Sequence, residues 1–161
     1  MNTEVYTGAD GAILLSAPQD TEGSAAQAII ESHDLVTVGR VQDVQIEVQS
    51  AVRAFHEIGQ RYATQLRPGN VTVRGTIGRA YINGALLSLL LGEAAQGRPG
   101  ASWVQPHFNI TVSVDNPANE SRNILTLHDV KLVNWHYHMP EDEFVMESSE
   151  FYALYITSED A

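Results

Sequence analysis

RPGNVTVRGTIGRAYINGALLSLLLG, Arg67 to Gly92, decides the fold class. Pro68-Gly69 reads as a turn. Val71, Val73 and Ile77 then fall on one face of a strand and Thr72, Arg74 and Thr76 on the other, the period-two signature of a half-buried strand. Gly78 reads as a break after the strand. A leucine-rich helix follows over 80–91, closed by Gly92. Ile82, Leu86, Leu89 and Leu90 make its apolar stripe, widened by Tyr81, Ala85 and Leu87. Burying four such side chains is worth about 1.5–3 kcal/mol each, so the helix is expected to lie across a sheet. No catalytic group stands out in the stretch, which has the look of a scaffold.

The flanking sequence adds strands. Within 36–49, Val44, Ile46 and Val48 point one way and Gln45, Glu47 and Gln49 the other. In 108–114, Phe108, Ile110, Val112 and Val114 alternate with Asn109, Thr111, Ser113 and Asp115. Residues 115–122 form a hairpin-like connection, and 124–128, 130–139 and 144–157 read as further strands. The last two are apolar and aromatic on both faces, which marks strands covered on both sides. Residues 50–66 are expected to be a long loop with some helix, because Val52, Phe55, Ile58 and Tyr62 recur near helical spacing while Gly59 interrupts. Residues 93–104, with Gly97 and Pro99-Gly100, read as a loop.

At the N-terminus, Ala12 to Leu15 suits a short strand and Ser24 to Ser32 a short helix with Ser24 as its cap. Residues 1–34 hold little apolar surface and must pack on the rest of the chain or on a neighbour. They are expected to be an assembly-dependent segment, whose removal leaves a folded core unable to polymerise. Many strands beside one dominant helix predict a single domain over 1–161: mainly β, an antiparallel sandwich or barrel with one flanking helix.

Composition bounds the function. The 161 residues carry a formal net charge of -11, with one lysine and eight scattered arginines. A broad nucleic-acid-binding face needs clustered cations and is disfavoured. From Glu141 onward there are seven carboxylates and no Lys or Arg. With no cysteine, disulfides and thiolate metal sites are excluded. The N-terminus lacks a basic n-region and a long apolar core, and no apolar run is long enough to span a bilayer, so a cytoplasmic site of synthesis and no membrane partner are expected. The sequons at Asn70, Asn109 and Asn119 read as chance.

The sharpest chemical signal is His136-Tyr137-His138-Met139-Pro140-Glu141-Asp142-Glu143. In a strand, His136 and His138 share a face, and Glu143 could complete a metal site. The His-x-His-x4-Glu spacing resembles the first motif of cupins, which gives an alternative reading as a small metal-dependent barrel enzyme. That motif expects glycines at Val130 and Glu150, and no histidine follows His138. An upstream ligand, His107 or His128, lacks motif support. A G-x-S-x-G elbow and a phosphate-binding loop are both absent from the sequence, and Gly75-x-x-Gly78 is too short for the latter. The expectation is a protein that is not an enzyme, without cofactor or metal.

Four segments together resemble tail tube proteins of contractile-tailed bacteriophages. They are Gly8 to Leu15, Gly39-Arg40-Val41-Gln42-Asp43-Val44, the block from Arg67 to Gly92 with Val73 to Asn83 at its centre, and Glu147 to Ile156. The resemblance covers most of the chain and rests on strand-and-helix patterns. It implies a barrel-like sandwich whose hexameric rings stack into a tube, an architecture shared with the tube of type VI secretion systems. It further implies a place in the virion tail, assembly in the host cytoplasm, and sheath, baseplate and terminator proteins as partners, with DNA passing through the lumen without specific binding. Gln45, Glu47, Gln49, Asn109, Thr111 and Ser113 are the candidate lumen-facing residues, and the N-terminal segment with the 50–66 and 93–104 loops would make contacts between rings.

Overall fold

The computed structural model describes residues 5–118 and 120–160. In chain order these form β1 (Gly11–Ser16), α1 (Thr21–Ser32), β2 (Val41–Ser50), β3 (Arg53–Phe55), β4 (Gln65–Arg67), β5 (Val71–Ala80), α2 (Ala85–Leu91), β6 (Phe108–Asn116), β7 (Ser121–Leu132), β8 (His136–His138), β9 (Met146–Ala153) and β10 (Tyr155–Asp160). The main sheet runs β1-β6-β7-β9-β5-β2, with β10 on β7 and β8 on β9. Each of these pairings is antiparallel. The long β7 joins the two halves: Asn123 to His128 face β10, while Lys131 and Leu132 face β9. This is the mainly β, antiparallel architecture with a short flanking helix that the sequence predicts.

The apolar alternation supplies the core. Ile13 and Leu15 of β1, Phe108 and Ile110 of β6, Leu127 and Val130 of β7, Val73 and Ile77 of β5 and Phe151 of β9 are buried together. Leu86 and Leu89 of α2 and Ala26 and Ile30 of α1 close over them. Gly78 does not end the strand: β5 runs on to Ala80, paired with β2 from Val71 and with β9 from Val73. A Cβ at Gly75 would collide with the Gln45 carbonyl and lie 2.6 Å from Phe151 Cζ. The glycine is where two neighbouring strands and an aromatic ring approach most closely.

Helix α2 starts five residues later than expected. The backbone stays extended past β5, where Ala80 N–H donates to the Arg40 carbonyl and Tyr81 N–H to that of Val145. Asn83 Oδ1 then accepts from Ala85 N–H at 3.1 Å and starts the helix. Its buried face is Ala85, Leu86, Ser88 and Leu89, while Ile82 lies outside the helix and exposed. Helix α1 begins three residues before the expected start and is capped by Asp20, not Ser24. Asp20 Oδ1 accepts from Gly23 N–H at 2.6 Å.

Residues 51–70 form no helix. They make a two-stranded arm, β3 on β4, beyond the β2–β5 hairpin. Val52, Phe55, Ile58, Tyr62 and Leu66 are all exposed on it. Their near-helical spacing produces no helix because these side chains stay exposed, and an amphipathic face is stabilised chiefly by packing.

The largest buried polar contact joins β5 to β9. Arg79 falls on the inward face with Val73 and Ile77, and its Nε donates to Glu147 Oε1 at 2.6 Å. Trp135 Nε1 donates to the other carboxylate oxygen at 2.8 Å, and Arg79 Nη2 donates to Asn83 Oδ1 at 3.1 Å. Removing one partner strands a charge in the core. Glu147→Ala is therefore expected to lower unfolding free energy by about 3–5 kcal/mol, read from urea denaturation. A loss under about 1 kcal/mol would show that Arg79 finds water instead.

The N-terminal segment is part of the core. β1 pairs with β6 over six residues, and Ile13, Leu15, Ala26 and Ile30 are buried. The expectation of a folded remainder after deleting residues 1–34 is revised accordingly: the truncated chain should lose its cooperative thermal transition by circular dichroism, and an intact transition would refute this.

At the start of α1, first the Gly23 amide and then His107 hold the Asp20 carboxyl below its ordinary value of 3.8. A depressed carboxyl contributes stability above its unfolded value and loses that contribution as pH falls through the folded one. Asp20→Asn should melt below the wild type at neutral pH, with the gap narrowing as pH drops below 3.8. A gap of constant size on that acid side would refute the electrostatic account.

Candidate assembly surfaces

The outward face of β2, β5 and β9 is polar. Register places Gln45 beside Thr76 and Thr76 beside Glu150, with Glu47 beside Arg74 and Arg74 beside Tyr152. Gln45, Glu47 and Gln49 are exposed. Arg74 Nη2 lies 3.1 Å from Glu47 Oε2, and first Glu47, then Tyr152, raise the guanidinium above its ordinary value. Between these side chains, above Gly75, lies a shallow cavity of about 340 Å³. It is a wall with one cation held in place among carboxylates, amides and hydroxyls.

Asn109, Thr111 and Ser113 lie elsewhere. They sit on β6, separated from β2 by β7, β9 and β5. Asn109 and Thr111 are half-buried and Ser113 is buried. Asn109 Oδ1 accepts from Asp129 N–H at 3.1 Å. The six candidate lumen residues therefore form two sets on different parts of the sheet.

The histidines do not converge. His136 and His138 are exposed on β8, on the same face, and Glu143 is exposed in the following loop. His128 stacks on Tyr155 with ring centroids 4.2 Å apart and shares a hydrogen bond with Thr157 Oγ1 at 3.0 Å. His107 belongs to a separate ionic cluster, 2.8 Å from Asp20 and 3.3 Å from Glu22, which also pairs with Lys131. Among the described residues no group of three or more His, Asp or Glu side chains is arranged to hold a metal.

Two features escaped sequence reading. The Arg79–Glu147 pair had a signal, since an unbroken strand puts residue 79 on the Val73 face. The open sheet edges had none. β2 pairs only with β5 and β10 only with β7 among the described residues, leaving the outer edge of each without a strand. Such edges invite pairing with another chain.

No protein-family model and no curated protein matches this chain. Solved structures share its fold over nearly its whole length. The PVC sheath–tube complex of an extracellular contractile injection system, in the extended state, superposes with a TM-score of 0.66 at 7% identity, over 99% of this chain and 94% of that one. The tube-terminating cap of the anti-feeding prophage gives 0.68 at 9% identity, over 100% and 95%. The SPP1 tail tube gives 0.60 at 11% identity, over 98% and 80%. The fold is the tail tube fold.

Proposed function

We propose that this chain is the subunit of a tube in a phage tail or a phage-derived injection device, with assembly and conduction as its work and no chemical step. One observation carries the reading. The chain keeps the fold of tube proteins from end to end and, like a piece cut from a larger sheet, leaves the ten-residue edge of β2 uncovered. In this proposal the edge continues the sheet of a neighbour, and closure of six copies into a ring removes the free edges. Rings stack, and sheath, baseplate and terminator proteins cover the tube and its ends. The N-terminal segment and the 93–104 loop add contacts between subunits.

Of the two candidate sets, Gln45, Glu47 and Gln49 suit a lumen wall better. They are exposed, and they continue across Thr76, Arg74 and Glu150 as one polar face. Asn109, Thr111 and Ser113 are half-buried or buried already. A wall without a row of free cations gives DNA phosphates nothing to bind, so a passing duplex is not retained.

Electron microscopy of the purified protein tests the proposal. Rings or tubes are expected, and a strictly monomeric species at high concentration overturns it. Val48 sits half-exposed on β2. Val48→Lys should keep the wild-type circular dichroism spectrum while abolishing rings, since a lysine on an edge strand resists pairing. Normal rings from this variant would remove β2 from the ring contact.

A further inference from the structure

The hairpin arm and the loop between β8 and β9 lie at opposite ends of one strand. The arm grows from the end of β5 where Val71 pairs with Ser50. At the other end Ala80 pairs with Met146, and Tyr81 N–H donates to the Val145 carbonyl at 2.9 Å. The ten residues of β5 hold the two about 33 Å apart.

The two ends are complementary. The arm bears Arg53, Arg61 and Arg67 against the single carboxylate of Glu57, in a chain whose net charge is -11. None of the three arginines has an ion pair among the described residues. Beside them Ile58 and Tyr62 are 106% and 88% exposed. The opposite end carries Glu141, Asp142 and Glu143, likewise without an ion pair among the described residues. Next to those carboxylates Tyr137, Met139 and Phe144 are exposed, and the Tyr137 ring meets Tyr81 edge-on with centroids 5.0 Å apart. Each end thus offers apolar side chains rimmed by charge, of opposite sign.

We propose that the arm of one copy docks on the 137–145 surface of the next, with its arginines against Glu141, Asp142 and Glu143. This rests on the tube-subunit reading and adds to it the acceptor surface. The contact joins two different surfaces, so it never saturates itself; each added copy presents a fresh acceptor, and growth is open-ended. Arm against arm would oppose arginine to arginine, which excludes the inverted stack.

Charge exchange in the full-length chain tests it, read by sedimentation and electron microscopy with circular dichroism to verify folding. Arg61→Glu/Arg67→Glu should lower the sedimentable tube fraction about tenfold while isolated rings persist, and Glu141→Arg/Glu143→Arg should do the same. A chain carrying both exchanges should recover tubes to within about twofold of wild type, because each reversed arm again meets an opposite charge. The neutral Glu141→Gln/Glu143→Gln should show the same direction of loss with less disturbance of folding. Asp115→Arg/Glu120→Arg, with the same charge change at the exposed connection between β6 and β7, should assemble normally. The proposal is overturned if either exchange leaves tubes intact, if the combined chain folds without recovering them, or if the variant at the β6–β7 connection loses them as well. A wild type lacking both rings and tubes would overturn the tube-subunit reading along with it, whereas wild-type tubes indifferent to residues 141 and 143 would overturn only the docking.

Discussion

A guanidinium inside the core organises this fold. Arg79 stands directly opposite Glu147 in the β5–β9 register, and both side chains are shut away from solvent. A one-residue slip would turn Arg79 outward and bring Thr76 and Gly78 to the core side, inverting both faces of the strand. The same pair reaches beyond the sheet. Trp135 fastens the run into β8 to the Glu147 carboxylate, and Asn83 shares one oxygen between Arg79 and the first turn of α2. Register, helix start and the approach of β8 therefore depend on a single buried contact. Its net worth to stability is modest beside the penalty for breaking it, because desolvation offsets much of the attraction.

That contact also separates what the sequence makes legible from what it conceals. Strand alternation in 71–77 and 108–114 is plain because apolar residues recur every second position, and the helix near Gly92 is plain because leucines crowd one turn after another. The extent of each element is less so. Gly78 looks like punctuation, yet β5 runs on through it to Ala80. Ile82 looks like the first residue of the helical stripe, yet hydrogen bonds on either side of Tyr81 keep the backbone extended there. Asp20 rather than Ser24 caps α1 because a carboxylate held by both an amide and His107 fixes the helix start earlier. Each of these outcomes depends on a neighbour distant in sequence, which local propensity does not encode.

The arm illustrates a different obstacle. Val52, Phe55, Ile58, Tyr62 and Leu66 carry the letters of a core, and periodicity reads them as a helix seeking one. In the folded chain they face outward. Apolar residues left on the surface cannot be told from those buried in the core by pattern alone; only the finished core, already filled by Ile13, Phe108, Leu127, Phe151 and their neighbours, shows that they are surplus. The candidate lumen residues divide for a related reason. Alternation finds a polar face on β2 and on β6 equally well, but burial by surrounding elements differs between them.

Charge is distributed to match. Copies bearing a net charge of -11 repel one another. Screening confines that repulsion to about 8 Å at physiological ionic strength, so it acts on surfaces already close to contact. In the docking proposed above, an approach that brings three arginines toward three carboxylates is the orientation in which local attraction exceeds the general repulsion, and apolar side chains then bury behind the charges. In the proposed docking, the acidity that keeps free copies apart also selects the geometry of contact: repulsion raises the energy of every wrong pairing, and the basic arm exempts one.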